Sequence, residues 1–297
     1  MLQLTESVNP RTRNIDQVST LDMVRLIAEE DARVAPAVAI EQTKIARAIE
    51  VVAERFLRGG RLIYIGAGTS GRMGVLDASE IPPTFGVPRE RVIGLIAGGI
   101  TAVTESIEGA EDDVAAGARD ITSLTVSQVD VVIGIAASGG TPYVLGGMQE
   151  AKKRGAFVGA LVCNQPSPME QIADLTIAPL VGPEVITGST RLKAGTAQKL
   201  VLNMISTGVM VRVGKTYGNL MVDVQTTNSK LRDRARRIVE MACELSSAEA
   251  DALLARCNGE VKTALVVELT GVDPVDARRR LGQTRGMVRK AIESNGP

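Results

Sequence analysis

Glu80 follows a turn rich in glycine and hydroxyls, Gly66-Ala67-Gly68-Thr69-Ser70-Gly71, and precedes Ile81-Pro82-Pro83. The glycines let the backbone turn sharply and approach a ligand with no Cβ in the way. A helix starting near Arg72 would place free N–H groups and its positive dipole end behind this turn, which suits an anion such as phosphate. Thr69 and Ser70 add hydroxyl donors. The two prolines are expected to end that helix and to hold the Glu80 carboxylate in a rigid turn beside the anion site. Carboxylates matter here because the chain has no histidine. That excludes Ser-His-Asp and Cys-His catalysis and leaves only scattered cysteines and carboxylates for a metal, so no metal site is expected. Proton transfer falls to Glu, Asp, Lys, Tyr or Cys.

Two further clusters repeat the theme. Ser138-Gly139-Gly140-Thr141 follows an apolar run at 130–136, and Ser189-Thr190 stands just ahead of Lys193. Thr69, Ser70, Ser138, Gly139, Thr141, Ser189, Thr190 and Lys193 are therefore the candidate phosphate- and sugar-binding residues. The alternative is that each turn only passes a strand into a helix. The spacing of Gly66, Gly68 and Gly71 matches GxGxxG, but no acidic residue closes the next strand at 91–97, so a dinucleotide is not expected.

The elements that must hold these residues read as strands alternating with helices. Apolar runs at 62–65, 91–97, 130–136, 157–163 and 175–179 read as buried parallel strands. Helical stretches are expected at 21–31, 34–59, 72–78, 104–117, 142–155 and 191–213. This alternation argues for an α/β fold, a doubly wound parallel sheet flanked by helices, with ligands at the carboxyl ends of the strands. Residues 1–20 are polar and contain Pro10, so they read as an arm that needs a partner surface. From Ser246 the pattern changes to short helices, with Ser246 and Asp273 as N-caps and Pro274 at N1. The expected division is 1–240, with a core at about 54–217, and a small helical domain at 241–297.

Composition narrows the function classes. Lys+Arg and Asp+Glu both total 34, so the net charge is zero and nothing favours nucleic acid or an anionic membrane. No apolar run is long enough to span a bilayer, the N-terminus lacks a signal-peptide core, and a cytoplasmic location is expected. Cys163, Cys243 and Cys257 show no paired spacing and read as reduced, mostly buried thiols. Tyr143 reads as packing under the second loop, with a hydroxyl contact to substrate as the alternative.

Longer blocks carry a resemblance. GAGTSGR followed by DASEIPPTFG, then EGAEDD, DVVIGIAASGGTPYV, VGPEVITGSTRLKAGTAQKLVLNMISTG and KTYGNLMVDVQ resemble the N-acetylmuramic acid 6-phosphate etherases of the SIS (sugar isomerase) family. The resemblance runs from about Leu4 to the C-terminus. It departs at Gly140, where SGGTPY stands in place of SGRTPY. The resemblance implies an SIS-type αβα sandwich with a three-helix, ubiquitin-associated-like tail, a homodimer, no cofactor, and pockets completed by a neighbouring subunit. It also implies two catalytic glutamates, in DASE and EGAE, which match Glu80 and Glu111; Glu80 is expected as proton donor and Glu111 as base. The implied reaction is a lyase cleavage of the lactyl ether of N-acetylmuramic acid 6-phosphate in cell-wall amino-sugar catabolism, giving N-acetylglucosamine 6-phosphate and D-lactate. Glu184 and Lys193 are also explained by helix capping or an interface salt bridge. An aldose–ketose isomerase and a non-catalytic sugar-phosphate sensor are the rival readings.

Overall fold

The computed structural model describes residues 4–224 and 229–294. The first three residues of the expected arm, and Gln225 at the end of the KTYGNLMVDVQ block, lie outside them. The chain divides into two compact units: Met1–Glu80 with Arg89–Ser206, and Ile81–Pro88 with Thr207–Pro297.

Helices α1 (Thr20–Asp31), α2 (Val34–Ile40) and α3 (Gln42–Leu57) lead into β1 (Leu62–Gly66) and α4 (Gly68–Phe85). Then come β2 (Val92–Ile96), α5 (Val114–Ser123), β3 (Val131–Ile135), α6 (Pro142–Lys153), β4 (Phe157–Leu161), β5 (Leu175–Ile177) and α7 (Lys193–Arg212). The five strands form one parallel sheet in the order β2-β1-β3-β4-β5. Leu62, Ile63, Tyr64 and Ile65 are fully buried, as a strand covered on both faces requires. Ile63, Ile65, Val132 and Val158 share a core with Tyr143, Val144, Met148 and Ile121 from the flanking helices. At the amino edge Asp130 accepts from the Arg61 backbone N–H and Nε, and from an Arg61 terminal nitrogen at 2.8 Å, which ties the starts of β1 and β3.

The connection after β1 leads to one side of it, and β3 and β4 lie on the other. The strand order therefore switches between β1 and β3, where open α/β sheets hold their ligands. The Gly66–Gly71 turn and the Ser138–Thr141 turn both leave from that point.

Several expected boundaries differ. The helix at 34–59 is two helices, and Glu41 between them accepts from the Ala178 N–H at 2.9 Å, fixing the break onto the end of β5. Residues 97–113 hold only 3₁₀ turns, Ile100–Val103 and Ala110–Asp112, not the helix expected from 104. The prolines do not end α4, which continues through Pro82 and Pro83 to Phe85. They fall in its last turn, where little helix remains for their missing N–H groups to weaken. The N-terminal arm has its surface within its own chain. Thr5 and Asn164 exchange hydrogen bonds, Asn9 donates to the Pro183 carbonyl and Thr12 to that of Val185.

The second unit contains the hairpin β6 (Thr216–Tyr217) and β7 (Leu220–Met221), then α8 (Ser229–Cys243), α9 (Ser247–Arg256), α10 (Val261–Thr270), α11 (Pro274–Gln283) and α12 (Val288–Glu293). The expected boundary at 240/241 falls inside α8, because Ala235, Ile238 and Val239 share one core with Leu253, Leu265 and Leu281. The stretch from Asp273 to about Ile292, expected as one helix, is two, parted by a turn at Arg285 and Gly286, both with positive φ. Ser246 makes a capping box with Glu249, and Asp273 caps the Val275 and Asp276 N–H groups ahead of α11. Among the described residues, no helix is long and apolar enough to cross a membrane.

Candidate active site

The first turn is closed by close backbone approach. A Cβ on Gly71 would stand 2.8 Å from the Gly66 carbonyl oxygen and 2.7 Å from Ile96 Cγ1, so only glycine lets α4 start hard against β1 and β2. The helix begins at Gly68, earlier than the expected Arg72, so Thr69 and Ser70 are its first turn rather than a loop ahead of it. Their N–H groups are among the first of the helix, which have no acceptor within it and face the carboxyl edge of the sheet. Ser70 is buried and its Oγ donates to Gln198 Oε1 of α7 at 2.9 Å, while the buried Gln198 Nε2 lacks a partner. Thr69 lies against the start of the same helix: a Cβ on Gly195 would meet its Cγ2 at 3.3 Å.

The second turn is fixed by Gly139, whose φ of +71° belongs to glycine and whose added Cβ would fall 2.5 Å from that of Ser167. Ser138 Oγ accepts from the Gly140 N–H, and Thr141 stands as N-cap residue of α6 without a side-chain cap bond. The Ala137 carbonyl accepts from the Asn164 side chain and from the Cys163 N–H. Cys163 Sγ in turn lies 3.9 Å from the Ala194 carbonyl. Asn164 also bonds Thr5, so the second turn, the end of β4, the arm and the start of α7 form one connected edge. Ser189 and Thr190 are half-buried in the tight turn ahead of α7, and Glu6 of the arm lies against Gly188 there.

A cleft of about 330 Å³ opens at this edge between the end of β1 and the segment after β2. Gly68, Arg72, Glu105, Glu108 and Glu111 line it. Glu111 is exposed, in the 3₁₀ turn Ala110–Asp112, and Asp113 behind it caps α5 by accepting from the Ala116 N–H. The cleft thus brings a carboxylate to the start of α4. Glu80 is not there. It is exposed on α4, not held in a proline turn, and lies about 18 Å along the helix axis from Gly68 at 1.5 Å per residue. One chain does not bring the two glutamates together in this cleft.

Lys193 is not a ligand-binding cation either. It is fully buried and its Nζ lies 2.6 Å from Glu30 Oε2, itself buried. Glu184 is the N-terminal cap of α7, accepting from the Lys193 and Ala194 N–H groups; burial nevertheless raises its carboxyl above the usual range. Cys163 is a buried thiol that burial, together with the Glu184 charge, pushes up to about 12, so it is protonated at neutral pH. The Tyr143 hydroxyl donates to Asp120, and its ring is buried in the main core beneath the second turn. Gly140 leaves space: a Cβ there would meet nothing closer than 3.9 Å.

N-acetylmuramic acid 6-phosphate etherase of Photorhabdus laumondii is 53% identical over 98% of this chain and 97% of its own. The chain belongs to the N-acetylmuramic acid 6-phosphate etherase family. The etherase of Aeromonas hydrophila is 52% identical over 96% of each chain. Within this etherase-family chain, residues 44–152 match the glucokinase regulatory protein N-terminal SIS domain and residues 111–208 the SIS domain. A putative phosphosugar isomerase from Bacteroides fragilis shares the fold at a TM-score of 0.51 and 20% identity, over 65% of this chain and 91% of its own. The etherase-family site also contains residues that reasoning from the sequence passed over. Arg72 and Gln198 sit inside the blocks GAGTSGR and AGTAQK, and their place there was the available signal.

Proposed function

We propose that the protein cleaves the lactyl ether of N-acetylmuramic acid 6-phosphate by elimination followed by addition of water. The observation that carries this, in a chain of this family with no histidine, is that Glu111 lines the cleft at the amino end of α4. The phosphate is held by the N–H groups of that helix start with Thr69 and Ser70, and the sugar by Ser138, Gly139, Thr141, Ser189 and Thr190. Binding energy spent on the phosphate, away from the reacting carbons, orients the substrate.

In the open-chain sugar the aldehyde acidifies the C2 proton. Glu111 removes it, and the electron pair flows toward the aldehyde oxygen. The C3–O bond then breaks, Glu80 gives its proton to the departing ether oxygen, and D-lactate leaves. Water adds at C3 of the unsaturated aldehyde, its proton returns to a carboxylate, and C2 is reprotonated, giving N-acetylglucosamine 6-phosphate. The chemistry asks for no metal or organic cofactor. Because Glu80 lies far along α4 from its own cleft, the second carboxylate is supplied by a partner subunit of a homodimer. The enzyme acts in the cytoplasm, on a small phosphosugar.

Incubation with N-acetylmuramic acid 6-phosphate, followed by assay of lactate, tests the activity. Tight binding without lactate would make the protein a sensor, and a ketose product would make it an isomerase. Glu80→Gln is expected to stop lactate release while solvent deuterium still enters at C2, and Glu111→Gln to stop both. Cleavage without exchange in the Glu80 variant would reverse the two roles.

A further inference from the structure

Arg72 belongs to the first turns of α4 and lines the cleft together with Glu111. Its Nε donates to the Val103 carbonyl at 2.9 Å and a terminal nitrogen to that of Glu105 at 3.0 Å. Both bonds go to main-chain oxygens of the segment that leads to Glu111, not to a carboxylate. Past Ala97, whose N–H donates to the Gly66 carbonyl, that segment to 113 holds only its two 3₁₀ turns and local turn bonds. Its other anchors lie on either side: Ala97 and Ala102 are buried ahead of the Arg72 contacts, and two more residues hold it beyond them. Ile107 packs on Gly98, whose added Cβ would lie 3.0 Å from that of Ile107, and Ala110 rests on the main core. A planar guanidinium can hold two carbonyls at a fixed separation, which the single point charge of lysine cannot.

We propose that Arg72 is a positioning residue for Glu111. By forking onto Val103 and Glu105 it fixes the segment after β2 to the same helix turn that presents N–H groups to the substrate phosphate. Together with the packing of Ile107 and Ala110, this fork sets the distance between the anchored phosphate and the carboxylate that takes the C2 proton. The proposal rests on Glu111 acting as the base.

Arg72→Met removes the fork and keeps the stem, and Arg72→Lys keeps the charge without the fork. For Arg72→Met, kcat for deuterium entry at C2 is expected to fall by about 10²-fold, the scale of a displacement near 1 Å, with KM changed by less than about threefold. Arg72→Lys is expected to restore only part of the rate. In a Glu111→Asp background, where the carboxylate is already displaced, adding Arg72→Met is expected to cost less than about a fifth of what it costs in the wild type, since coupled residues are not additive. Multiplying losses, or a KM raised tenfold at unchanged kcat, would overturn the proposal and make Arg72 a direct substrate contact. A second readout needs no substrate: amide hydrogen exchange at 103–111 should quicken in Arg72→Met while β1 and β3 stay protected. Unchanged protection there also overturns it. If the unsubstituted protein releases no lactate, the reading of the activity fails instead, and the amide exchange still decides whether Arg72 holds the segment.

Discussion

Lys193 and Glu30 show how one residue's surroundings override its chemistry. Both side chains are buried and paired, and removing Lys193 leaves the buried Glu30 carboxylate only the longer contacts of Arg11 and Arg33, each at 3.6 Å. Lys193→Met is therefore expected to lower stability by about 3 kcal/mol, the low end for a broken buried pair, read from urea unfolding, with the KM of the remaining folded enzyme little changed. A phosphate ligand would behave in the opposite way. Burial raises the Glu30 carboxyl, but the Lys193 bond and charge, with Asn9 and Arg33, outweigh it and hold it below the usual range. The stabilisation this pair gives is fully present above the unfolded glutamate value of about 4.3 and is lost as pH falls through the depressed folded value. Unfolding midpoints should fall along that acid limb in the unsubstituted protein and show less of that loss in Lys193→Met.

Neighbouring glycines in the second turn separate backbone demand from space. Gly139 needs positive φ and has Ser167 at its back, whereas Gly140 has neither constraint. Gly139→Ala is expected to cost more than about 1–2 kcal/mol, from left-handed strain plus the clash, and to raise KM by displacing the turn. Gly140→Ala should stay within about 0.5 kcal/mol, and thermal unfolding of the two variants side by side checks both. Element identities were largely legible because they are local. Apolar runs closed by glycine and serine gave the strands and their turns, and Ser246 and Asp273 gave caps. Element ends were less so. Pro82 and Pro83 signal a stop that the last turn of a helix tolerates, and the acidic run before Asp113 is helix-like in composition while its backbone is pinned by Arg72 and Ile107 into turns.

For the whole molecule, the separation of Glu80 from the Glu111 cleft within one chain makes a specific demand on assembly. If each pocket takes Glu80 from one subunit and Glu111 from the other, mixing inactive Glu80→Gln and Glu111→Gln proteins after exchange of subunits should restore about a quarter of the activity. A heterodimer then regains one intact pocket of two. No recovery on mixing, with exchange verified by mass, would place both carboxylates in one chain's pocket. The sequence by itself determined the parallel α/β sheet, the glycine turns at its carboxyl edge, the absence of histidine, and the family. Each of these is written in neighbouring residues. Only the tertiary structure decided that Lys193 is neutralised inside the protein, that Arg72 and not Glu80 lines the cleft with Glu111, and that α8 belongs with the C-terminal core. Those outcomes depend on which distant side chains meet, and pairing across 31 residues, as for Arg72 and Val103, or 163, as for Lys193 and Glu30, leaves no mark in local spacing.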